Sequence, residues 1–128
     1  MIVGIGVDTV DIPRFERQLE RTPALLERLF TPTERGLSLV SLAARFAAKE
    51  ALIKALGGSG ELRWHDMSVA RDRGDAPAFI STPRFAEALA EKGAHRAHLS
   101  MTHDAGVATA FVIIERDPHA ETPGGGAR

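Results

Sequence analysis

Ser38-Leu39-Val40-Ser41-Leu42-Ala43-Ala44-Arg45-Phe46-Ala47-Ala48-Lys49-Glu50-Ala51-Leu52-Ile53-Lys54-Ala55-Leu56, closed by Gly57-Gly58, is the stretch on which the fold turns. It reads as the strongest helix of the chain, stopped by a glycine pair that can leave the helix in a left-handed conformation. Leu39, Leu42, Phe46, Ile53 and Leu56 recur on one apolar stripe, which predicts a central helix.

Upstream, residues 2 to 8 read as a strand in which Val3, Ile5 and Val7 share one face and Gly4, Gly6 and Asp8 the other. Asp8 therefore stands beside two positions that have no side chain. Asp11 can cap a helix that carries Pro13 in its first turn and Ile12, Phe15 and Leu19 at helical spacing. Thr22-Pro23 and Thr31-Pro32-Thr33-Glu34 repeat the cap-then-proline pattern and predict further short helices. Downstream, Asp66 to Arg71 and Ala78 to Ser81 predict two strands joined by an Arg73-Gly74-Asp75 turn, and Thr82-Pro83 caps a helix ending near Gly93. His98 to Thr102 and Val107 to Glu115 predict a closing hairpin, its continuously apolar second strand expected to be buried on both faces. The order β-α-α-α-β-β-α-β-β, with two hairpins, is α+β with a largely antiparallel sheet. Residues 1 to 116 form one domain, and Asp117 to Arg128, rich in Pro, Gly and polar residues, is expected to be disordered.

Composition narrows the function classes. A chain of 128 residues with 44% hydrophobic content builds one self-standing core. The absence of cysteine excludes a disulfide scaffold, a thiolate metal site and a cysteine nucleophile. Lys plus Arg is 16 against 17 for Asp plus Glu, so overall charge gives no case for nucleic-acid binding. With six Phe, one Trp and no Tyr, base-stacking platforms are also disfavoured. The longest nearly uncharged apolar run, Val107 to Ile114, is far short of the roughly 20 residues needed to span a bilayer. Met1-Ile2-Val3-Gly4 lacks the basic start of a signal peptide, so the expectation is a cytoplasmic protein.

The chemistry concentrates on the central helix. At about 100° per residue, with Phe46 at zero, Ile53 lies near −20°, Glu50 near +40° and Lys49 near −60°. Two charges thus enter the apolar stripe, and a buried ion needs a partner. For Glu50 that partner is either Lys54, in the favourable Glu-to-Lys order one turn on, or a metal. Asp8, at the end of a strand whose glycines permit close approach, is either a cap for the next helix or a second acidic ligand. Two carboxylates without a cysteine or histidine cluster suit a hard cation, and Mg²⁺ takes one or two carboxylates together with phosphate oxygens and waters. Arg45, Lys49 and Lys54 would then serve the phosphates.

Gly6-Val7-Asp8 followed by Arg45-Phe46-Ala47-Ala48-Lys49-Glu50-Ala51-Leu52-Ile53-Lys54-Ala55-Leu56-Gly57 closely resembles the signature of the holo-acyl-carrier-protein synthase group of 4′-phosphopantetheinyl transferases. The resemblance extends to Trp64-His65-Asp66-Met67-Ser68-Val69 and to Ser100-Met101-Thr102-His103-Asp104, in the same order over residues 1 to 116. It implies transfer of 4′-phosphopantetheine from coenzyme A to a serine of an apo-acyl-carrier protein, with release of adenosine 3′,5′-bisphosphate. It also implies Mg²⁺ on Asp8 and Glu50, a catalytic set of Asp8, Glu50 and Lys54, and a homotrimer with active sites between subunits. Arg45, Lys49, Lys54 and Gly57 match positions lining the coenzyme A site, and Thr102 and His103 match the neighbouring subunit's share of it. His103 read without the family is a hairpin histidine. Arg14, Arg17 and Arg21 match the helix on which relatives dock the carrier, although Glu16 and Glu20 leave a plain solvated face as the alternative for Arg17 and Arg21.

The segment from Glu34 to Arg45 is shorter than in many relatives, and Gly74-Asp75-Ala76-Pro77 departs from the family's usual turn. Neither change removes a proposed ligand. Two other classes compete: a different metal-dependent phosphate enzyme, which in its two-metal form needs more carboxylates than Asp8 and Glu50, and a non-catalytic trimeric binding module of the same fold.

Overall fold

The computed structural model describes residues 1–71 and 76–118. In chain order it runs β1 (Ile2–Asp11), α1 (Ile12–Arg21), α2 (Ala24–Leu29), α3 (Pro32–Arg35), α4 (Leu39–Leu56), a 3₁₀ turn (Trp64–Met67), β2 (Val69–Arg71), β3 (Pro77–Phe79), α5 (Pro83–Glu91), β4 (Arg96–Asp104) and β5 (Val107–Glu115). The expected α+β class holds, with four helices rather than three between β1 and β2. One sheet is ordered β1-β5-β4 and a second pairs β2 with β3, and every pairing is antiparallel. The Arg73-Gly74-Asp75 turn lies outside the described residues, as does the expected tail beyond Pro118. Asp117 is described, and its Oδ2 accepts from the Arg96 guanidinium at 3.4 Å.

Of the caps read in the sequence, Asp11 and Thr82 form as expected; Ser38 adds one not read there, and Thr22 does not cap α2, whose N-cap is Pro23 without a side-chain bond. Asp11 Oδ1 accepts from the Arg14 N–H at 2.8 Å, Ser38 Oγ from the Ser41 N–H at 3.2 Å, and Thr82 Oγ1 from the Phe85 N–H at 3.2 Å. Gly57, at φ 80°, closes α4 in the left-handed conformation that only glycine adopts without strain.

α4 lies across β1 and β5, and this contact is the core of the molecule. The buried side of α4 is not the expected stripe. Leu42, Ala43, Ala47, Ala48, Ala51, Leu52, Ala55 and Leu56 are buried, whereas Leu39, Phe46 and Ile53 are only partly so. The reason is the separation between the two backbones. A Cβ on Gly6 would overlap the Ala51 carbonyl oxygen, and one on Gly4 would overlap the Ala55 carbonyl oxygen. The glycines of β1 thus admit the helix backbone itself, and only alanine fits on the facing side of α4. Phe46, displaced to the flank, stacks on Phe15 of α1 at 5.4 Å and meets Trp64 at 5.7 Å.

Two further expectations change. Asp66 and Met67, expected to open a strand, instead belong to a 3₁₀ turn over Trp64–Met67, because the Asp66 carboxylate accepts from the Arg63 N–H at 2.9 Å and closes the turn; β2 is confined to Val69–Arg71. Nor is β5 buried on both faces within one chain. Ala108, Ala110, Val112 and Ile114 face α4 and are fully buried, but Phe111 on the other side is 41% exposed. It is paired with Val7, and both stand on an open outer face of the sheet.

Candidate functional site

Gly6 and Asp8 lie on the same side of β1, so seating Gly4 against Ala55 and Gly6 against Ala51 holds Asp8 alongside α4, where Lys54 can reach back to it. There Lys54 Nζ donates to Asp8 Oδ1 at 2.9 Å and to the Val7 carbonyl at 3.1 Å. The lysine's helical neighbour Glu50 stands one turn before it. The Lys54 side chain is 54% exposed and the Asp8 side chain 16%, so the pair lines an open site. Partial burial, reinforced by the charge of Asp8 and opposed by Lys54, holds the Glu50 carboxyl above the usual carboxylate range. Of the two readings for Glu50, a simple pair with Lys54 is not what forms: the ammonium turns to Asp8. The three side chains form one cluster from two elements, with two carboxylates close enough to repel and one exposed ammonium beside them.

That donor set fits a divalent cation. Two carboxylates whose mutual repulsion is relieved by positive charge are what Mg²⁺ takes from a protein when phosphate oxygens and waters complete its shell. Among the described residues no group of three or more His, Cys, Asp or Glu side chains comes together, here or elsewhere, so the protein's share of a cation shell at this place is the two carboxylates.

The cations expected to serve phosphates separate. Lys54 is at the cluster. Lys49 is not: its side chain is 0% exposed, and its Nζ donates to Glu34 Oε1 at 2.8 Å, the Leu29 carbonyl at 2.7 Å and the Trp64 carbonyl at 3.3 Å. Burial pushes this ammonium below the usual lysine range, against the opposing pull of Glu34. It is an internal ion pair rather than a phosphate ligand in this chain. Arg45, nine residues before Lys54, points about 180° around the helix from it. It lies buried beside a cleft formed with Thr33, Leu37, Val69 and Ile80, and its guanidinium donates to the Ser41 carbonyl at 3.4 Å.

Thr102 and His103 sit on β4, two strands from β1, and the registers align Asp8 with Ala110 and Met101. Thr102, level with Thr109 and Thr9, therefore projects from the outer face, opposite to Asp8. His103 is paired with Ala108 near the end of the strand, one residue before the Asp104–Val107 turn region. Within one chain neither joins the cluster. Arg14, Arg17 and Arg21 are exposed along α1. Arg21 borders a cleft of about 430 Å³ with Phe15, Leu25, Phe46 and Trp64.

Sequence reasoning missed Glu34 and the Trp64 turn. Glu34 carried a signal only as the local cap of Thr31, a role it does fill, accepting the Thr31 N–H at 3.0 Å. No helix of the described residues is long and apolar enough to cross a membrane.

Comparison with known proteins agrees with this geometry. The profile of the 4′-phosphopantetheinyl transferase superfamily matches residues 4–112. A holo-[acyl-carrier-protein] synthase from Leifsonia xyli subsp. xyli is 60% identical over 117 residues, covering 91% of this chain and 99% of the relative. The crystal structure of the holo-[acyl-carrier-protein] synthase from Neisseria meningitidis superposes with a TM-score of 0.80 at 34% identity, covering 91% of this chain and 100% of that one. That of the Helicobacter pylori enzyme in complex with coenzyme A gives 0.76 at 33% identity, covering 87% and 99%. This chain belongs to the 4′-phosphopantetheinyl transferase superfamily, as a member of its holo-acyl-carrier-protein synthase group.

Proposed function

We propose that the Asp8–Glu50–Lys54 cluster transfers the 4′-phosphopantetheine group of coenzyme A to a serine hydroxyl of an apo-acyl-carrier protein, leaving adenosine 3′,5′-bisphosphate. The observation that carries this reading is the convergence of β1 and α4: Gly4 and Gly6 let the two backbones touch, and that contact brings Asp8 to the Glu50–Lys54 turn. Phosphoryl transfer needs positioning and neutralised charge more than covalent help from the protein. Asp8 and Glu50 would hold Mg²⁺, which supplies charge neutralisation at the pyrophosphate when bound. Lys54, exposed and already aimed at Asp8, contributes a further positive charge to the same oxygens. A two-metal nuclease or phosphatase is less well supported, since the described residues supply two carboxylates at this place and no larger acidic group.

The protein is proposed to act as a homotrimer. Ile5, Val7 and Phe111 are 56%, 50% and 41% exposed on the outer sheet face, a patch that a second copy would cover. Thr102 projects from that same face, so a neighbouring subunit could bring it to the coenzyme, with His103 beside it near the end of β4. The exposed guanidinium groups of Arg14, Arg17 and Arg21 offer charge-assisted bonds to an acidic carrier protein. Mass spectrometry of an apo-carrier protein incubated with the enzyme, coenzyme A and Mg²⁺ tests the reading: the carrier gains the mass of phosphopantetheine, and a carrier whose mass stays unchanged contradicts it.

A further inference from the structure

The Lys49–Glu34 pair does more than fill the core. Replacing such a pair by apolar side chains of similar volume is often neutral or stabilising, so its presence calls for an account of what the charges hold. The three donors of Lys49 reach three different segments: the end of α2 through the Leu29 carbonyl, α3 through Glu34, and the entry to the 3₁₀ turn through the Trp64 carbonyl. Glu34 uses its other oxygen, Oε2, to accept the N–H of Val69 at 3.0 Å, at the start of β2 and one residue beyond the turn. The turn Trp64–Met67 is therefore held at its entry by Lys49 and at its exit by Glu34. A third bond, 2.7 Å between His65 Nε2 and the Glu27 carbonyl, ties its outer side to α2.

What the turn carries is Trp64. Its indole packs on Phe46 and forms one wall of a cleft of about 680 Å³, lined also by Ile53, Leu62, Met67 and Arg28. Ile53 lies three residues after Glu50 on the same side of α4, so the cleft, which Asp8, Glu50 and Lys54 do not themselves line, neighbours the Glu50 turn through Ile53. Lys49 reaches the wall from the residue next to Glu50 in the chain.

We propose, on the basis of the transferase reading above, that Lys49 and Glu34 are positioning residues: they clamp both ends of the Trp64 turn and so fix the wall of the cleft beside the Asp8–Glu50–Lys54 cluster. Neither touches the reacting atoms. The pair acts through Trp64, which is the single tryptophan of the chain and reports on its own surroundings.

The test is the double variant Glu34→Gln/Lys49→Met, in which glutamine keeps an acceptor for Thr31 or Val69 while the anchors on Leu29 and Trp64 are removed. It should unfold cooperatively, quench more readily with acrylamide at Trp64, and show a KM for coenzyme A or for the carrier raised about ten-fold with a smaller change in kcat. If the double variant does not fold, Lys49→Arg carries the test with the same readouts, because a planar fork cannot serve three separately placed acceptors. A folded variant with wild-type quenching and wild-type KM values overturns the proposal, and so does one in which quenching rises while both KM values stay put. Trp64 quenching needs no substrate. A wild-type protein that transfers nothing would thus defeat the transferase reading, while the quenching comparison would still decide whether the clamp exists.

Discussion

Gly6→Ala is the smallest change that separates β1 from α4. The new Cβ would overlap the Ala51 carbonyl oxygen and stand 2.7 Å from the Ala55 nitrogen and 2.9 Å from the Ala51 carbonyl carbon. All three are backbone atoms of the helix, so no side chain can rotate away and the strand must shift. Overpacking a core costs about 1–3 kcal/mol where side chains can adjust, so about 3 kcal/mol or more is expected here. For a domain of this size that lowers the Tm by about 10 °C. Asp8 stands two residues along the same face, and its shift away from the Glu50–Lys54 turn should lower transfer as well. Gly36→Ala is the matched control: a Cβ there meets nothing within 4 Å, and φ is −84°. Its stability should stay within about 0.5 kcal/mol of wild type. Urea unfolding of both variants, with transfer assayed where each is folded, checks the reasoning. A Gly6→Ala protein as stable and as active as Gly36→Ala would refute it.

Arg14→Glu should raise the KM for carrier protein far more than that for coenzyme A, and the wild-type carrier KM should rise with ionic strength, since exposed charge is screened over about 8 Å at physiological salt; equal effects on both substrates would make α1 a solvated face. The wild-type protein should sediment as a trimer, and Phe111→Lys, which places charge on the exposed outer face, should yield smaller species without transfer activity; a fully active monomer at assay concentration would contradict the assembly. The hydrogen bond from His98 Nε2, 2.8 Å from Glu115 Oε1, holds the Glu115 carboxyl below its usual range. A depressed folded pKa contributes stability above the unfolded pKa that is lost as pH falls through the folded one. Urea midpoints measured from neutral to about pH 3 should fall more steeply for wild type than for Glu115→Gln; parallel curves would remove the bond's role.

Much of the fold was legible because its boundaries are written locally. Asp11 and Thr82 cap as read, Pro13, Pro32 and Pro83 start helices, and Gly57 stops α4. The cluster was half legible: Asp8, Glu50 and Lys54 were each identified, but a charge on a helix has its nearest visible partner one turn away, and the partner Lys54 takes comes from β1. Lys49 was placed in the apolar stripe, but its partner was not legible for the same reason, the counter-ion Glu34 being explained already by a local cap. The stripe on α4 was misplaced because the large apolar residues mark the widest gap, whereas glycine facing alanine brings backbones closest. The outer face of β5 reads as core from composition alone, and a single chain leaves it open.

The central claim is that β1 and α4 converge to make one cation site that works with the coenzyme. Calorimetric titration of Mg²⁺ into wild-type protein, Asp8→Asn and Glu50→Gln, each with saturating coenzyme A, addresses it directly. The account predicts binding to wild type and an affinity at least about ten-fold lower in either variant, with all three proteins folded. Wild-type Mg²⁺ affinity retained in both variants would contradict it.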